Sequence, residues 1–204
     1  MKNNLDNYSI GSEINFKEAR DLADLFSIAL DLKFTIDALL KLESIIGKDK
    51  LLMRVLWSSA LISYRRCFNS GKRFGLSGKV FKNLKGEPIK AHKYYIAQAN
   101  KHIAHSVNPF EQITIDLQLS NPKESKKIVG VSKLSAALIC TSEEGIKVFK
   151  GLSIHAYKYT IKEAKKYEKK VLIIAAKLPI DNLYKKSRSR VIIPEPEEAG
   201  NARK

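Results

Sequence analysis

Apolar positions in the first hundred residues recur at intervals of three and four. Ala19, Leu22, Ala23, Phe26, Ala29 and Leu30 predict one amphipathic helix. Asn15 followed by Glu18 reads as a capping box that opens it. A second set, Leu39, Leu40, Leu42, Ile45 and Ile46, predicts a second helix that stops at Gly47. Asp49 predicts the cap of a third, with Leu52, Val55, Leu56, Ala60, Tyr64, Cys67 and Phe68 on its core face and an end near Asn69–Gly71. Trp57 and Tyr64 are read as core. Residues 70–87 form a basic, glycine-punctuated connection containing Phe74 and Phe81, long enough to suggest function. Pro88 suits the first position of a fourth helix, expected to reach about Ser106 before Asn108–Pro109.

The period then changes. Apolar and polar residues alternate from Gln112 to Leu119, which predicts a strand with one buried face. Ser120–Asn121–Pro122 supplies a turn, and 127–141 can pair back, with Gly130 marking a bulge. Thr141 with Glu144 predicts another capping box and a long final helix. Its inner face is Ile146, Phe149, Ser153, Ala156, Thr160, Ala164, Tyr167, Val171, Ile174 and Leu178. Lys158, Lys162, Lys165, Lys166, Lys169 and Lys170 lie outside, and Pro179 ends it. The expected fold is mainly α: a helical bundle with one inserted antiparallel β-hairpin at about 111–141. One domain covers 1–178, and the basic tail 179–204 is expected to be disordered.

Composition narrows the function classes. The chain has 204 residues, 44% of them hydrophobic, which is enough for a packed core. Two cysteines exclude a disulfide-stapled scaffold and a four-cysteine zinc site. No apolar run approaches the roughly 20 residues of a membrane span, and the first residues lack an apolar signal core. The expected location is therefore the cytoplasm, with no membrane partner. The formal charge is +16 and unevenly spread: residues 51–100 hold ten basic residues and one acid, Glu87, while residues 1–50 are slightly acidic. A basic surface of this kind suits phosphate contacts as well as plain solvation.

Chemistry concentrates on the fourth helix. His92, His102 and His105 are three of the chain's four histidines. Helical spacing puts Tyr94, Gln98, Lys101, His102 and His105 on or near one polar stripe, and Ile89, Ile96, Ala99 and Ile103 on a second stripe facing the core. Imidazole titrates near neutrality, so His105 can serve as acid or base when a ribose 2′-hydroxyl attacks its own phosphate. Lys101 offers a cation for the developing charge, and Asn100 a polar orienting group. Such cleavage needs no metal and no cofactor. The bland alternative is a solvated face closed by a C-terminal histidine. His102 and His105 also form a His-x-x-His pair, but no nearby cysteine or carboxylate completes a metal site. Cys67 and Cys140 read as small hydrophobes, and His155 as structural or surface.

The run Asn100–Lys101–His102–Ile103–Ala104–His105–Ser106 resembles the "RNKxxAHS" signature of HEPN-domain proteins (higher eukaryotes and prokaryotes nucleotide-binding), closest to the bacterial abortive-infection and phage-defence group. Residues 57–71 are similar to the same group, and the resemblance spans 17–178. It implies a helical bundle, a homodimer, and a metal-independent RNase site at the dimer cleft of toxin or defence type. An antitoxin or nucleotidyltransferase is an implied partner. His105 matches the family's histidine and Asn100 the polar residue after its arginine; with Lys101 and His102 beside them they make the expected catalytic set. The family's arginine precedes its histidine by four to six residues; here those positions are Gln98, Ala99 and Asn100. Lys101 can substitute, or Arg65 or Arg66 can reach over from the third helix; otherwise the module only binds RNA or a protein partner. Arg65, Arg66, Lys72, Arg73 and Lys79 are the expected RNA contacts, with the phenylalanines of 70–87 either stacking on bases or tucked onto the bundle.

Overall fold

The computed structural model describes residues 11–68, 74–103, 111–123, 125–185, 187–188 and 196–197. The elements run β1 (Gly11–Ser12), α1 (Lys17–Ile45), α2 (Lys50–Cys67), a 3-10 turn (Gly78–Phe81), α3 (Pro88–Gln98), a π-helical turn (Ala99–Ile103), β2 (Glu111–Leu119), β3 (Ile128–Ala137), α4 (Glu143–Ala175), α5 (Ile180–Lys185) and β4 (Ser187–Arg188). The result is a mainly helical fold carrying one antiparallel hairpin, as the patterning predicts. Among the described residues no helix is long and apolar enough to cross a membrane.

The two helices expected at the N-terminus are one. No glycine or proline interrupts 17–46, and Leu32, Thr35, Ile36 and Ala38 turn inward between the two apolar sets. The buried Thr35 hydroxyl satisfies itself on the Asp31 carbonyl at 2.9 Å. The Asn15–Glu18 capping box does not form. Phe16 takes the cap position without a side-chain bond, and Asn15 Oδ1 instead accepts from the Arg20 guanidinium at 3.0 Å. Gly47, at φ 75°, then turns the chain towards α2.

α2 starts as expected: the Asp49 carboxylate accepts from the Leu52 amide at 2.9 Å. Its core face is the expected one at Ala60, Tyr64 and Cys67 and is widened by Met53 and Leu61. Met53, Trp57, Ala60, Leu61, Tyr64 and Cys67 are buried, Leu52, Leu56 and Phe68 are half-buried, and Val55 faces solvent. α1 packs along both α2 and α4, and Glu43 pairs with Lys150 at 2.5 Å across α1 and α4. Aromatic rings fill the centre. Trp57 meets Tyr95 and Phe149 edge-on at 6.1 and 5.5 Å, and Tyr95 stacks on Phe149 at 4.2 Å. Such pairs contribute beyond the area they bury.

The described part of the long connection belongs to this core. Phe81 is fully buried, and Phe74 packs on Tyr167 at 6.3 Å while its amide donates to the Asp24 carboxylate at 2.9 Å. Neither ring is free to stack on a base, so the tucked alternative holds for both.

β2 and β3 pair antiparallel, with Ile113 opposite Ser135, Ile115 opposite Lys133 and Leu117 opposite Val131. The register slips between Gln118 and Leu119, one residue from Gly130. The expected buried face is not buried. Ile113, Ile115, Leu117 and Leu119 are 58–69% exposed, and Ile128 and Val131 beside them are equally open. The alternation predicts a strand correctly, but the hairpin extends away from the bundle.

α4 is capped one residue later than expected: Ser142 Oγ accepts from the Gly145 amide at 3.2 Å. Its inner face is the one read from the sequence as far as Val171, while Leu178 lies beyond the helix and is exposed. All six outer lysines are exposed. Among the described residues of 179–204, α5 follows Pro179, and β4 pairs with β1, Gly11 opposite Arg188.

Candidate functional site

α2 ends on Arg65 and Arg66, the basic residues of its last turn. Cations are favoured there, because the last carbonyls of a helix carry unsatisfied negative charge. Arg66 is exposed and pairs with Asp31 at 3.6 Å. Arg65 behaves differently. It is half-buried, and its Nε–H donates to Asn100 Oδ1 on the π-helical turn. The acceptor is a neutral amide, and among the described residues no carboxylate pairs with Arg65. A full guanidinium charge therefore sits beside Asn100, with Lys101 exposed on the next position.

A π-helical turn follows α3, and the expected polar stripe holds only in part. Turns of this kind hold one residue more than an α-turn and recur at functional sites. Gln98, just before it, points inward rather than along the expected stripe. It is fully buried; its Nε2 donates to the Tyr94 hydroxyl at 2.6 Å, and its Oε1 has no hydrogen-bond partner among the described residues. Ile89, Ile96 and Ile103 pack against the core as expected, and Ala99 is buried in it.

His92 is not part of an open site. It is buried among Tyr64, Phe68 and Phe81, and its Nδ1 shares a 2.9 Å hydrogen bond with the Tyr64 hydroxyl. Burial lowers its pKa to about 4, with the Lys93 charge adding to the effect. Burial likewise raises the Tyr64 pKa, which leaves that hydroxyl able to donate. His155 is also structural: its Nε2–H donates to the Val80 carbonyl at 3.0 Å.

A pH dependence follows. The unfolded His92 takes a proton near its ordinary pKa of 6.5, and the folded one only near 4. In that window protons favour the unfolded chain, so stability is full above the window and falls as pH drops through it, by roughly 2–3 kcal/mol. Urea unfolding at pH 7 and pH 4.5 should show this loss, and His92→Asn should reduce it. An equal loss in the variant would assign the acid sensitivity to other groups.

His105, Lys72 and Arg73 lie outside the described residues, as does the side chain of His102. Lys79 is exposed on the 3-10 turn, where its amide donates to Ser77 Oγ. The sequence suggested Arg65 and Arg66 equally as replacements for the missing motif arginine. Only the packing of α2 against the π-helical turn separates them: it brings Arg65 to Asn100, while Arg66 pairs with Asp31. No family model, no curated protein and no solved structure matches this chain, so the contact between Arg65 and Asn100 carries the functional reading.

Proposed function

We propose that this protein is an RNA-directed, HEPN-like, metal-independent endoribonuclease of defence or toxin type. The observation supporting this is the Arg65–Asn100 hydrogen bond. It supplies, from a neighbouring helix, the guanidinium that the motif on 100–106 lacks in its own sequence. In this reading His105 removes the proton from a ribose 2′-hydroxyl, the oxygen attacks the adjacent phosphate to form a 2′,3′-cyclic phosphate, and the P–O5′ bond breaks, the departing 5′-oxygen taking a proton from water. Arg65 grips the phosphate's non-bridging oxygens through donors that Asn100 leaves free, since the amide engages only its Nε. Lys101 adds a phosphate contact at the exposed edge. Dimerisation and an antitoxin or nucleotidyltransferase partner belong to the same reading and rest on the sequence resemblance; cytoplasmic location rests on composition.

A second reading is an inactive HEPN-like module that binds RNA or a protein partner; a protein partner is favoured by the exposed apolar face of the hairpin. Such a face on an isolated two-stranded sheet is unusual without a covering surface. An RNA cleavage assay in EDTA separates the two. The wild type should cut and His105→Ala should not. Equal cleavage by both removes His105 from the reaction; no cleavage by either, with RNA binding retained, supports the binding module.

A further inference from the structure

A groove of about 910 Å³ opens between the first half of α3 and the middle of α4. Its walls are largely apolar, from Ala91, Tyr94, Val148 and Leu152, and Lys85 and Lys158 stand at its rim. The size falls in the range of small-molecule sites, and an apolar lining with few polar groups is their usual character. We infer that this groove binds a small amphipathic anion: an apolar body laid along α3 and α4, with one acid group taken by Lys85 and Lys158.

Three observations support the assignment. The first is Gly151, which lines the groove in the interior of the 33-residue helix α4. Glycine is the poorest helix former apart from proline. At Gly145 packing requires it, because a Cβ there would meet the Thr141 side chain at 2.6 Å. At Gly151 a Cβ would meet nothing within 4 Å, so packing does not explain the residue. Its effect is to leave the floor of the groove bare.

The second observation is charge. The groove has three lysines on its lining and one acid, Glu87, which is occupied by Lys90 at 2.9 Å. Among the described residues Lys85 and Lys158 have no acidic partner. Two uncompensated cations beside an apolar floor match a ligand that is itself part apolar and part anionic. The third is Tyr94, whose hydroxyl accepts from Gln98 and so keeps its own proton for a ligand oxygen. The groove uses α3 and α4, whereas Asn100 is held by α2, so the inference does not depend on the ribonuclease reading.

The test is calorimetric titration of the full chain with decanoate, decyl phosphate and decanol. Saturable binding of one or both anions is expected, the tighter one identifying the acid as carboxylate or phosphate, and decanol should bind at least about tenfold more weakly. Gly151→Leu fills the floor and improves the helix, so it should keep the fold and lose at least about tenfold in affinity for the anions. Lys85→Ala with Lys158→Ala should bring the anions down to the level of decanol. Leu117→Ser with Val131→Ser, on the exposed hairpin face, should change nothing. Undiminished binding to Gly151→Leu, or loss of binding in the hairpin variant, overturns the assignment. So does decanol binding as well as decanoate. Binding of an acidic amphipathic peptide alone, abolished by Gly151→Leu, would make the occupant a peptide and overturn it too.

Discussion

Arg65→Ala should lower RNA cleavage by about 10²–10³-fold in kcat, the usual consequence of removing one preorganised donor from a developing anion. The fold should survive. Arg65 is half-buried at the last turn of α2, and its bond to Asn100 links it to a residue that is itself half-exposed. Water can therefore satisfy Asn100 once the guanidinium is gone. Arg65→Lys should not restore the rate, because an ammonium cannot hold Asn100 through one donor and a phosphate through two others in a fixed plane. Asn100→Ala should do less damage, since it frees the guanidinium without removing its charge. Single-turnover kinetics in EDTA measure all three, with circular dichroism as the control for folding. A rate within about threefold of wild type for Arg65→Ala would leave the motif without its arginine after all.

The second large effect is on stability. Trp57→Ala should cost about 3–5 kcal/mol, the range for deleting a buried aromatic ring. Trp57 is fully buried between α1, α3 and α4 and meets two other rings edge-on. Its removal opens a cavity that neither Tyr95 nor Phe149 can close, because those two are already stacked on each other at 4.2 Å. Tyr95 is further fixed by its hydroxyl, which donates to the Gly145 carbonyl at 2.7 Å. The midpoint of thermal unfolding should fall by on the order of 10 °C for a chain of this size. Trp57→Phe should recover much of the loss. The Nε1 of Trp57 has no hydrogen-bond acceptor among the described residues, so a phenylalanine there gives up no hydrogen bond. Urea unfolding gives the free energy directly; a loss below about 1 kcal/mol would mean that the core collapses around the gap.

Much of the architecture is legible in the sequence because period and capping chemistry agree. Asp49 caps α2, Pro88 opens α3, and the alternation from Gln112 to Leu119 is a strand. The inner face of α4 follows its 3.6-residue period for seven turns. What the sequence hides is whatever depends on distant partners. Two apolar sets within α1 look like two helices, because nothing local shows that Leu32, Thr35 and Ile36 between them will be buried, Thr35 against the Ala60 carbonyl of α2 at 3.5 Å. The hairpin's alternation reports one apolar face but not whether the bundle lies against it, and it does not. Gln98 reads as an active-site amide by spacing and is buried, because it follows Tyr95 by three residues on the inward face of α3. The contact between Arg65 and Asn100 joins residues 35 positions apart, beyond the reach of any local pattern.

That π-helical turn has a mechanical consequence. With a surplus residue in their coil, Ala99 to Ile103 do not continue the angular phase of the helix before them. Pro88 to Gln98 is thereby indexed to the aromatic interior, while Asn100 is indexed separately to the end of α2. The two segments work like gears on one shaft: the first can be locked by packing without dictating where the second presents its amide.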